Sequence, residues 1–360
     1  MRTPPTSIFS LLLLSLSRAI FVDLFHSQQG ADPKNPMSTE KNQEVTENRT
    51  VREPIIGIIG GTGLGDVLEA KLRERTDNDT TVASYEYLHD IVTPFGKPSG
   101  PILVGTIGGR KFAFVSRHGP GHKYGPGCVP YAANIYALKQ LGVTTLIASG
   151  AVGSLQSHME PSHLVLVDQF IDKTASSALR QPTSFYHNYG AVYCEFAEPC
   201  CSRVRTQLRQ LSQTVTTTRT HETGTYVCME GPQFSTRAES CMHKQWGADL
   251  IGMTALPEAK LAREAQMCYA LVALVSDYDC WRAHDPSIPR QALLEEIIGN
   301  MNKASNNATE LILKLLESPA DQYQVCDDAC LCRQSLKLAV WSKPEALDQE
   351  EKKRLAPLFT

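Results

Sequence analysis

Two aspartates follow the most apolar stretch of the chain. The apolar run begins near Cys268, continues through Val272 and Val275, and is followed by Asp277 and Asp279. Such a run predicts a strand buried on both faces, as in a parallel sheet. Ligands of open α/β sheets bind at the carboxyl ends of strands, and alternate residues of an extended chain point the same way. The pair therefore predicts a proton-transfer or base-recognition site, with helix capping or a solvated turn as the alternative.

Three other predicted strand ends carry groups that bind anions. Gly60 to Gly65 is a glycine-rich loop containing Thr62, Arg117-His118 pairs a guanidinium with an imidazole, and Ser149 to Ser154 is a run of small residues. Backbone amides in such loops approach a phosphate closely, and arginine grips an oxyanion with two parallel N–H groups. A lone Arg-His pair is more often a solvated loop. Because all three groups follow strands, together they predict one phosphate site.

The glycine loop alone would also fit a nicotinamide-dependent oxidoreductase. A dinucleotide-binding fold needs a second strand that ends in an acidic residue about 20 residues further on. The polar segment 73–81 does not resemble such a strand. The loop by itself is therefore a weak indication of that class.

The elements that position these groups alternate between strand and helix. Predicted strands cover 55–59, 112–116, 144–148, 164–167, 225–228 and the Asp277 strand, and predicted helices cover 130–141, 236–247, 257–266 and 293–316, the last as one or two helices. This alternation predicts a single α/β domain over residues 54–317, with a mixed central sheet flanked by helices. Residues 1–53 combine an apolar segment with a polar linker, which predicts disorder or a targeting segment. Residues 318–360 are weakly patterned and are predicted to form a C-terminal tail.

Composition and cysteine spacing limit the partners. The chain of 360 residues is 42% hydrophobic and 20% charged, with a net charge of -3, so we expect neither nucleic acid nor a membrane as partner. Cys326, Cys330 and Cys332 form a C-x3-C-x-C cluster whose pairing the sequence leaves open. Zinc sites usually combine two such clusters. Since no second one is evident, we predict no metal site.

Short motifs along the chain occur in the order and spacing of one known family. They are Ile58–Gly63, Thr93–Ser99, Ser116–Gly119, Val167–Asp172, Glu230–Ser235, Trp246–Asp249, Met253–Thr254, Pro257–Glu258 and Ser276–Trp281. On these motifs, residues 55–316 resemble the trimeric purine nucleoside phosphorylase and methylthioadenosine phosphorylase family. The resemblance implies a nucleoside phosphorylase fold and a pentosyltransferase with phosphate as co-substrate and no other cofactor.

The reaction that the resemblance implies is phosphorolysis of S-methyl-5'-thioadenosine to adenine and 5-methylthioribose 1-phosphate, in purine and methionine salvage. The alternatives are a broader purine nucleoside phosphorylase acting on adenosine or inosine, and a catalytically weak secreted relative. The family also implies a homotrimer in the cytoplasm and nucleus. If residues 1–25 act as a signal peptide, the protein is instead secreted.

The resemblance also assigns residues. Phosphate would be held by Thr62, Arg117, His118, Gly150, Ala151 and Thr254, while Met253 would lie against the ribose, Phe234 and Ser235 would border the nucleoside, and Asp277, Tyr278 and Asp279 would face the base. A carboxyl group with a raised pKa can protonate N7 of the departing purine, which is the role we expect for Asp277. An ionised carboxylate only accepts hydrogen bonds, so Asp279 suits a 6-amino group. This pair predicts adenine as the base.

This chain departs from the family pattern at several site positions. Gly150 supplies an amide without a hydroxyl, Gly252 stands where an Asn is usual, and Tyr193 stands where a His is usual. Arg290 and Leu293 fall where relatives place small apolar residues around the 5' substituent. We therefore expect Ser235, Arg290 and Leu293 to influence specificity at the 5' end.

Overall fold

In the computed structural model, residues 54–78, 82–174, 182–283, 287–319 and 327–360 are described. The apolar segment and linker predicted for residues 1–53 lie outside these ranges. The strands are β1 (Ile55–Gly60), β2 (Val82–Leu88), β3 (Ile102–Ile107), β4 (Arg110–Ser116), β5 (Val143–Ser154), β6 (Leu164–Leu166), β7 (Gln169–Lys173), β8 (Thr220–His221), β9 (Thr225–Met229), β10 (Leu250–Gly252) and β11 (Cys268–Tyr278). The helices are α1 (Leu64–Asn78), α2 (Tyr131–Gln140), α3 (Ser202–Val215), α4 (Arg237–Gln245), α5 (Glu258–Glu264), α6 (Arg290–Glu317) and α7 (Gln349–Arg354).

The described strands form one mixed sheet of eleven strands. Its path runs β2-β3-β4-β1-β5-β10-β9-β7, and β11 pairs with β5 and β6 away from this path. β1 is parallel to β4 and β5, and β11 is parallel to β5, whereas β10 is antiparallel to β5. The prediction of a mixed central sheet is therefore confirmed.

Helices cover both faces of this sheet. On one face, α1, α3 and α6 pack through Leu68, Leu208 and Leu311. On the other face, α2 and α5 pack through Ile135 and Leu261. β11 is buried along Cys268–Val275, as its uninterrupted apolar run predicts, because helices lie over both of its faces.

Local signals located several helix ends correctly. The Thr236–Glu239 pair forms a capping box at the start of α4. α2 ends before Gly142, whose φ of +92° lies in the left-handed region that favours glycine. The predicted helix at 293–316 is a single helix, α6, and β5 extends to Ser154. No helix in the described part of the chain is long and apolar enough to cross a membrane.

The described part of the C-terminal segment is folded onto the domain, which corrects the prediction of a tail. Residues 327–360 contain short helical turns and α7, and Leu336, Leu355 and Leu358 are buried in the same core as α2 and α5. Tyr193 N donates to Ala339 O, which joins this segment to the chain before α3. The weak patterning is explained by short 3-10 turns, which have no long apolar period.

Candidate active site

A crevice opens along one edge of β5. β11 pairs with β5 along Thr145–Ser154, so β1 and β10 share the opposite edge. β1 pairs only as far as Ala148, and β10 joins at Gly153. The edge between them, Ser149–Val152, is therefore open at the carboxyl end of β1, where ligands of open α/β sheets bind.

Arg117 lies at this crevice and is fixed by three hydrogen bonds. Its Nε and Nη2 donate to the two carboxylate oxygens of Glu258 at 2.7 and 2.8 Å, and its Nη1 donates to Ser149 O at 2.5 Å. The side chain is fully buried. Burial lowers the pKa of Arg117, but the adjacent Glu258 carboxylate raises it by a larger amount. The net pKa is above the usual value for arginine, so the guanidinium stays charged. Three of the five N–H groups of arginine are used by these contacts, and two remain for an oxyanion.

His118 is buried beside Arg117 and is uncharged at neutral pH. Burial and then the charge of Arg117 lower the pKa of His118 to about 4. Its Nδ1 lies 2.7 Å from Tyr124 O, and since a carbonyl oxygen only accepts, Nδ1 carries the proton. Nε2 is then the acceptor. The ring therefore suits a phosphate oxygen that carries a proton.

The glycine loop and the open edge of β5 are joined directly. Gly61 N donates to Ser149 Oγ at 3.2 Å, and a Cβ on Gly61 would lie 2.5 Å from Arg117 Nη1. Thr62 follows in the same turn. The predicted phosphate residues Thr62 and Arg117 are thus brought together through Ser149.

Gly150, Ala151 and Thr254 lie at the same crevice. A Cβ on Gly150 would be 3.6 Å from Thr254 Oγ1, so the threonine hydroxyl lies beside the bare backbone of β5. Peptide groups alternate between the two edges of a strand, so the Ala151 amide faces the same edge as Ser149 O. The run of small residues at 149–154, predicted as an anion-binding loop, is instead part of strand β5.

Asp277 lies near the end of β11 and Asp279 directly follows the strand, after an irregularity in its pairing with β5. The register shifts between Val275 and Asp277, and Ser276 Oγ donates to Asp277 Oδ1 at 2.6 Å. Asp279 is 9% exposed, and its Oδ2 is buried without a hydrogen-bond partner among the described residues. Tyr278 points elsewhere, since its hydroxyl donates to Ser157 O. The structure does not bring Tyr278 to the expected base site.

The residues predicted to surround the sugar lie on or against one loop, but they differ in how exposed they are. A Cβ on Gly231 would lie 2.5 Å from Met253 Sδ, so Met253 packs on the loop that carries Phe234 and Ser235. Cys280 Sγ donates to Ser235 O at 3.3 Å, which places this loop beside the aspartate pair. The Phe234 side chain is 86% exposed in the single chain.

Arg290 and Leu293 lie in the first turn of α6, at some distance from the predicted phosphate-binding residues. The part of α6 that contacts the glycine loop is near Met301, which lies 3.4 Å from the Cβ position of Gly63. At about 1.5 Å of rise per residue, Arg290 lies about 16 Å along the helix axis from Met301. Arg290 is exposed and Leu293 is half-buried.

Two residues absent from the predicted site contribute to its geometry. Glu258 holds Arg117. In the sequence, Glu258 is marked only by its position after Pro257, in the first turn of α5. Tyr226 accepts a hydrogen bond from Thr254 N at 3.3 Å, and a Cβ on Gly252 would lie 2.1 Å from the Tyr226 hydroxyl oxygen. Gly252 therefore makes room for the tyrosine that positions the Thr254 backbone.

Comparison with known proteins gives the class of this fold and site. The family model of the phosphorylase superfamily matches residues 55–317, and the chain belongs to this superfamily. Within it, the chain is 39% identical over 307 residues to an S-methyl-5'-thioadenosine phosphorylase of Gloeobacter violaceus, covering 84% of this chain and 94% of the relative. It is 41% identical over 268 residues to one of Danio rerio, covering 73% and 88%.

Solved structures show the same similarity. A methylthioadenosine phosphorylase from an antarctic soil metagenomic library superposes with a TM-score of 0.70 at 36% identity, covering 85% of this chain and 99% of that one. The methylthioadenosine phosphorylase of Schistosoma mansoni, in complex with adenine, gives 0.67 at 30% identity, covering 81% and 100%. The predicted family and fold are thereby confirmed.

Proposed function

We propose that the protein catalyses phosphorolysis of S-methyl-5'-thioadenosine, giving adenine and 5-methylthioribose 1-phosphate. It acts as a pentosyltransferase in purine and methionine salvage. The relatives and solved structures described above carry the name of this activity, which supports it over a broader purine nucleoside phosphorylase or a catalytically weak relative.

The observation that carries the proposal is the spacing of two groups along β5. The first group is Thr254, which lies beside Gly150 near Arg117. The second is Asp279, whose Cβ lies 3.2 Å from the Cβ position of Gly153. Three residues of strand span about 10 Å. Residues three apart direct their Cβ positions to opposite faces of the sheet, so a ligand that reaches both groups would lie along the open edge of β5, with phosphate at one end, the purine at the other and the ribose between them.

The phosphate end supplies the nucleophile. Arg117 offers its two remaining N–H groups to phosphate, with Thr62, Thr254 and the Ala151 amide as further donors. Nε2 of His118 accepts a hydrogen bond from the P–OH group of hydrogenphosphate. A phosphate oxygen held in this way attacks C1' of the ribose, because the fixed donors orient it without the entropy cost of free encounter.

The base end stabilises the leaving group. As the glycosidic bond breaks, negative charge develops on the purine, and a proton delivered by Asp277 to N7 neutralises it. The buried Asp279 Oδ2 accepts from the 6-amino group of adenine. An exocyclic 6-oxo group cannot donate to it, and two acceptors would then face each other in a dry site.

One assay with three nucleosides tests the proposal. The protein is incubated with phosphate and S-methyl-5'-thioadenosine, adenosine or inosine, and release of the free base is followed. We expect the fastest reaction with S-methyl-5'-thioadenosine and none without phosphate. Faster phosphorolysis of inosine would contradict the proposal.

Asp277→Asn tests the role of the general acid. We expect turnover to fall by about 10²- to 10⁴-fold. Asp90→Asn, at a carboxylate that is 94% exposed, is the matched control and should leave turnover unchanged. Equal rates in the two variants would exclude Asp277 as the acid.

The assembly, cofactor requirement and location form part of the same proposal. We propose a homotrimer, which is supported by large apolar side chains exposed in the single chain, among them Tyr193, Phe234, Leu338 and Trp341. Light scattering after size exclusion tests this.

We propose that the reaction needs no cofactor beyond phosphate, so chelators should not change the initial rate. We propose a cytoplasmic and nuclear location, which imaging of a tagged chain tests.

A further inference from the structure

Four cysteine side chains from three distant parts of the chain meet in one buried cluster. They are Cys201, Cys268, Cys330 and Cys332. Their sulfur atoms all lie within 4.8 Å of one another, and each residue is buried. Cys326, the other cysteine of the predicted C-terminal group, lies outside the described residues. The cluster is separate from the crevice beside β5, and the proposed reaction does not use it.

Regular elements bring these cysteines together. Cys201 is the N-terminal cap of α3, and its backbone N–H donates to Tyr269 O at 2.7 Å, beside Cys268 at the start of β11. Cys330 and Cys332 lie on either side of Leu331 in a short 3-10 turn. The second pair of ligands has no short spacing in the sequence and is supplied by Cys201 and Cys268. This removes the reason for predicting no metal site.

The cluster has the dimensions of a tetrahedral metal site. With a Zn–S bond of about 2.3 Å, tetrahedral geometry separates the sulfurs by about 3.8 Å. The Sγ atoms of Cys201 and Cys330 are 3.7 Å apart. A disulfide would need about 2.05 Å and would use only two of the four sulfurs. Four sulfurs that converge on one point match zinc coordination better than they match a single bridge.

We propose that Cys201, Cys268, Cys330 and Cys332 bind one Zn²⁺ as a closed tetrathiolate site. Each thiol loses its proton on binding, so four protons are released and the site carries a net charge of about −2. One feature offsets this charge. Cys201 is the N-terminal cap of α3, and the positive end of the helix dipole stabilises an anion there.

The site would fasten the C-terminal segment to the sheet. Cys330 and Cys332 begin the described part of this segment, whereas Cys201 and Cys268 belong to elements of the main domain. With four protein ligands the ion has no open position, so it is structural and leaves the phosphate-only chemistry unchanged. Leu331, between the two ligands of the turn, is 81% exposed, so this turn is the accessible side for metal entry.

Metal content is the direct test. The full chain is purified in a reducing buffer with zinc supplied, and bound metal is measured by inductively coupled plasma mass spectrometry. We expect about one zinc per chain for a closed four-ligand site. Cys330→Ser should lose most of the metal. Cys241→Ser removes an exposed cysteine outside the cluster and should retain it.

Two measurements on the unmutated protein keep the proposal testable if Cys330→Ser does not fold. Native mass spectrometry with and without a strong chelator should show loss of one zinc, and the unfolding temperature should fall on its removal. Cd²⁺ added to the stripped protein should produce a thiolate-to-metal charge-transfer band. A native chain without metal, whether its four sulfurs are free thiols or have lost two hydrogens per disulfide, would overturn the proposal.

Discussion

Replacing Asp279 with asparagine separates adenine recognition from folding. Asp279 Oδ2 is buried without a described partner, so its hydrogen bond to a 6-amino group would be made in a dry site. A hydrogen bond to a charged group contributes about 1.5–3 kcal/mol. Its loss lowers kcat/KM by about 10- to 150-fold, since each 1.4 kcal/mol is about a factor of ten. The asparagine amide can donate to a 6-oxo group, so activity on inosine should rise.

The same change should stabilise the protein without ligand. A buried polar group that lacks a partner costs about 1–3 kcal/mol, and more when it is charged. Asp279→Asn removes the charge at nearly constant volume, so we expect the free energy of unfolding to rise by about 1 kcal/mol.

The assay compares kcat/KM for S-methyl-5'-thioadenosine and inosine, together with urea unfolding. Asp277→Asn is the control, because N7 protonation serves both bases and its loss should slow both reactions without changing their ratio. An unchanged ratio in Asp279→Asn would refute this account of base recognition. A lower free energy of unfolding in Asp279→Asn would refute the inference that the Asp279 carboxylate is unsatisfied in the folded protein.

The remaining predictions concern the phosphate end. Arg117→Lys keeps the charge but loses the planar fork, so the KM for phosphate should rise by about 100-fold in steady-state assays, whereas an unchanged KM would contradict the fork geometry. Glu258→Ala leaves the buried Arg117 unpaired and should lower the free energy of unfolding by about 3–5 kcal/mol in urea titration, with Glu258→Gln losing less. Because the pKa of His118 falls from 6.5 to about 4 on folding, the unfolded chain binds more protons between these values. Stability from this group is therefore complete above pH 6.5 and lost toward pH 4, and His118→Asn should reduce that loss in unfolding measured against pH.

Local patterns were sufficient for the elements and for the ends of strands. The apolar run of β11 predicts a strand with both faces covered, and the Thr236–Glu239 spacing predicts the start of α4, because both depend on neighbours in sequence. Placing Thr62, Arg117 and Gly150 together required only that their strands be adjacent and parallel. β4, β1 and β5 are adjacent in this order.

Contacts between distant residues could not be predicted in this way. Arg117 and Glu258 are 141 residues apart, and nothing near either residue specifies the other. Cys201 lies 129 residues before Cys330 of the C-terminal turn, and Cys268 is also far from that turn in sequence. The orientation of Tyr278 also depended on tertiary structure, since its hydroxyl bonds to the loop that follows β5. In each case the geometry depends on the packing of whole elements.

β5 positions both ends of the proposed ligand. Its open edge faces Arg117 and Thr254 at Gly150, and three residues later Gly153 leaves the space against which Asp279 packs. An added Cβ at Gly153 would lie 3.2 Å from Asp279 Cβ and from Ile251 Cγ2. Alanine at this position would therefore displace Asp279, whereas the pairing of Gly150 with β11 would be unchanged. We expect the 5' substituent to be recognised away from this strand, by the exposed Phe234 loop and the start of α6.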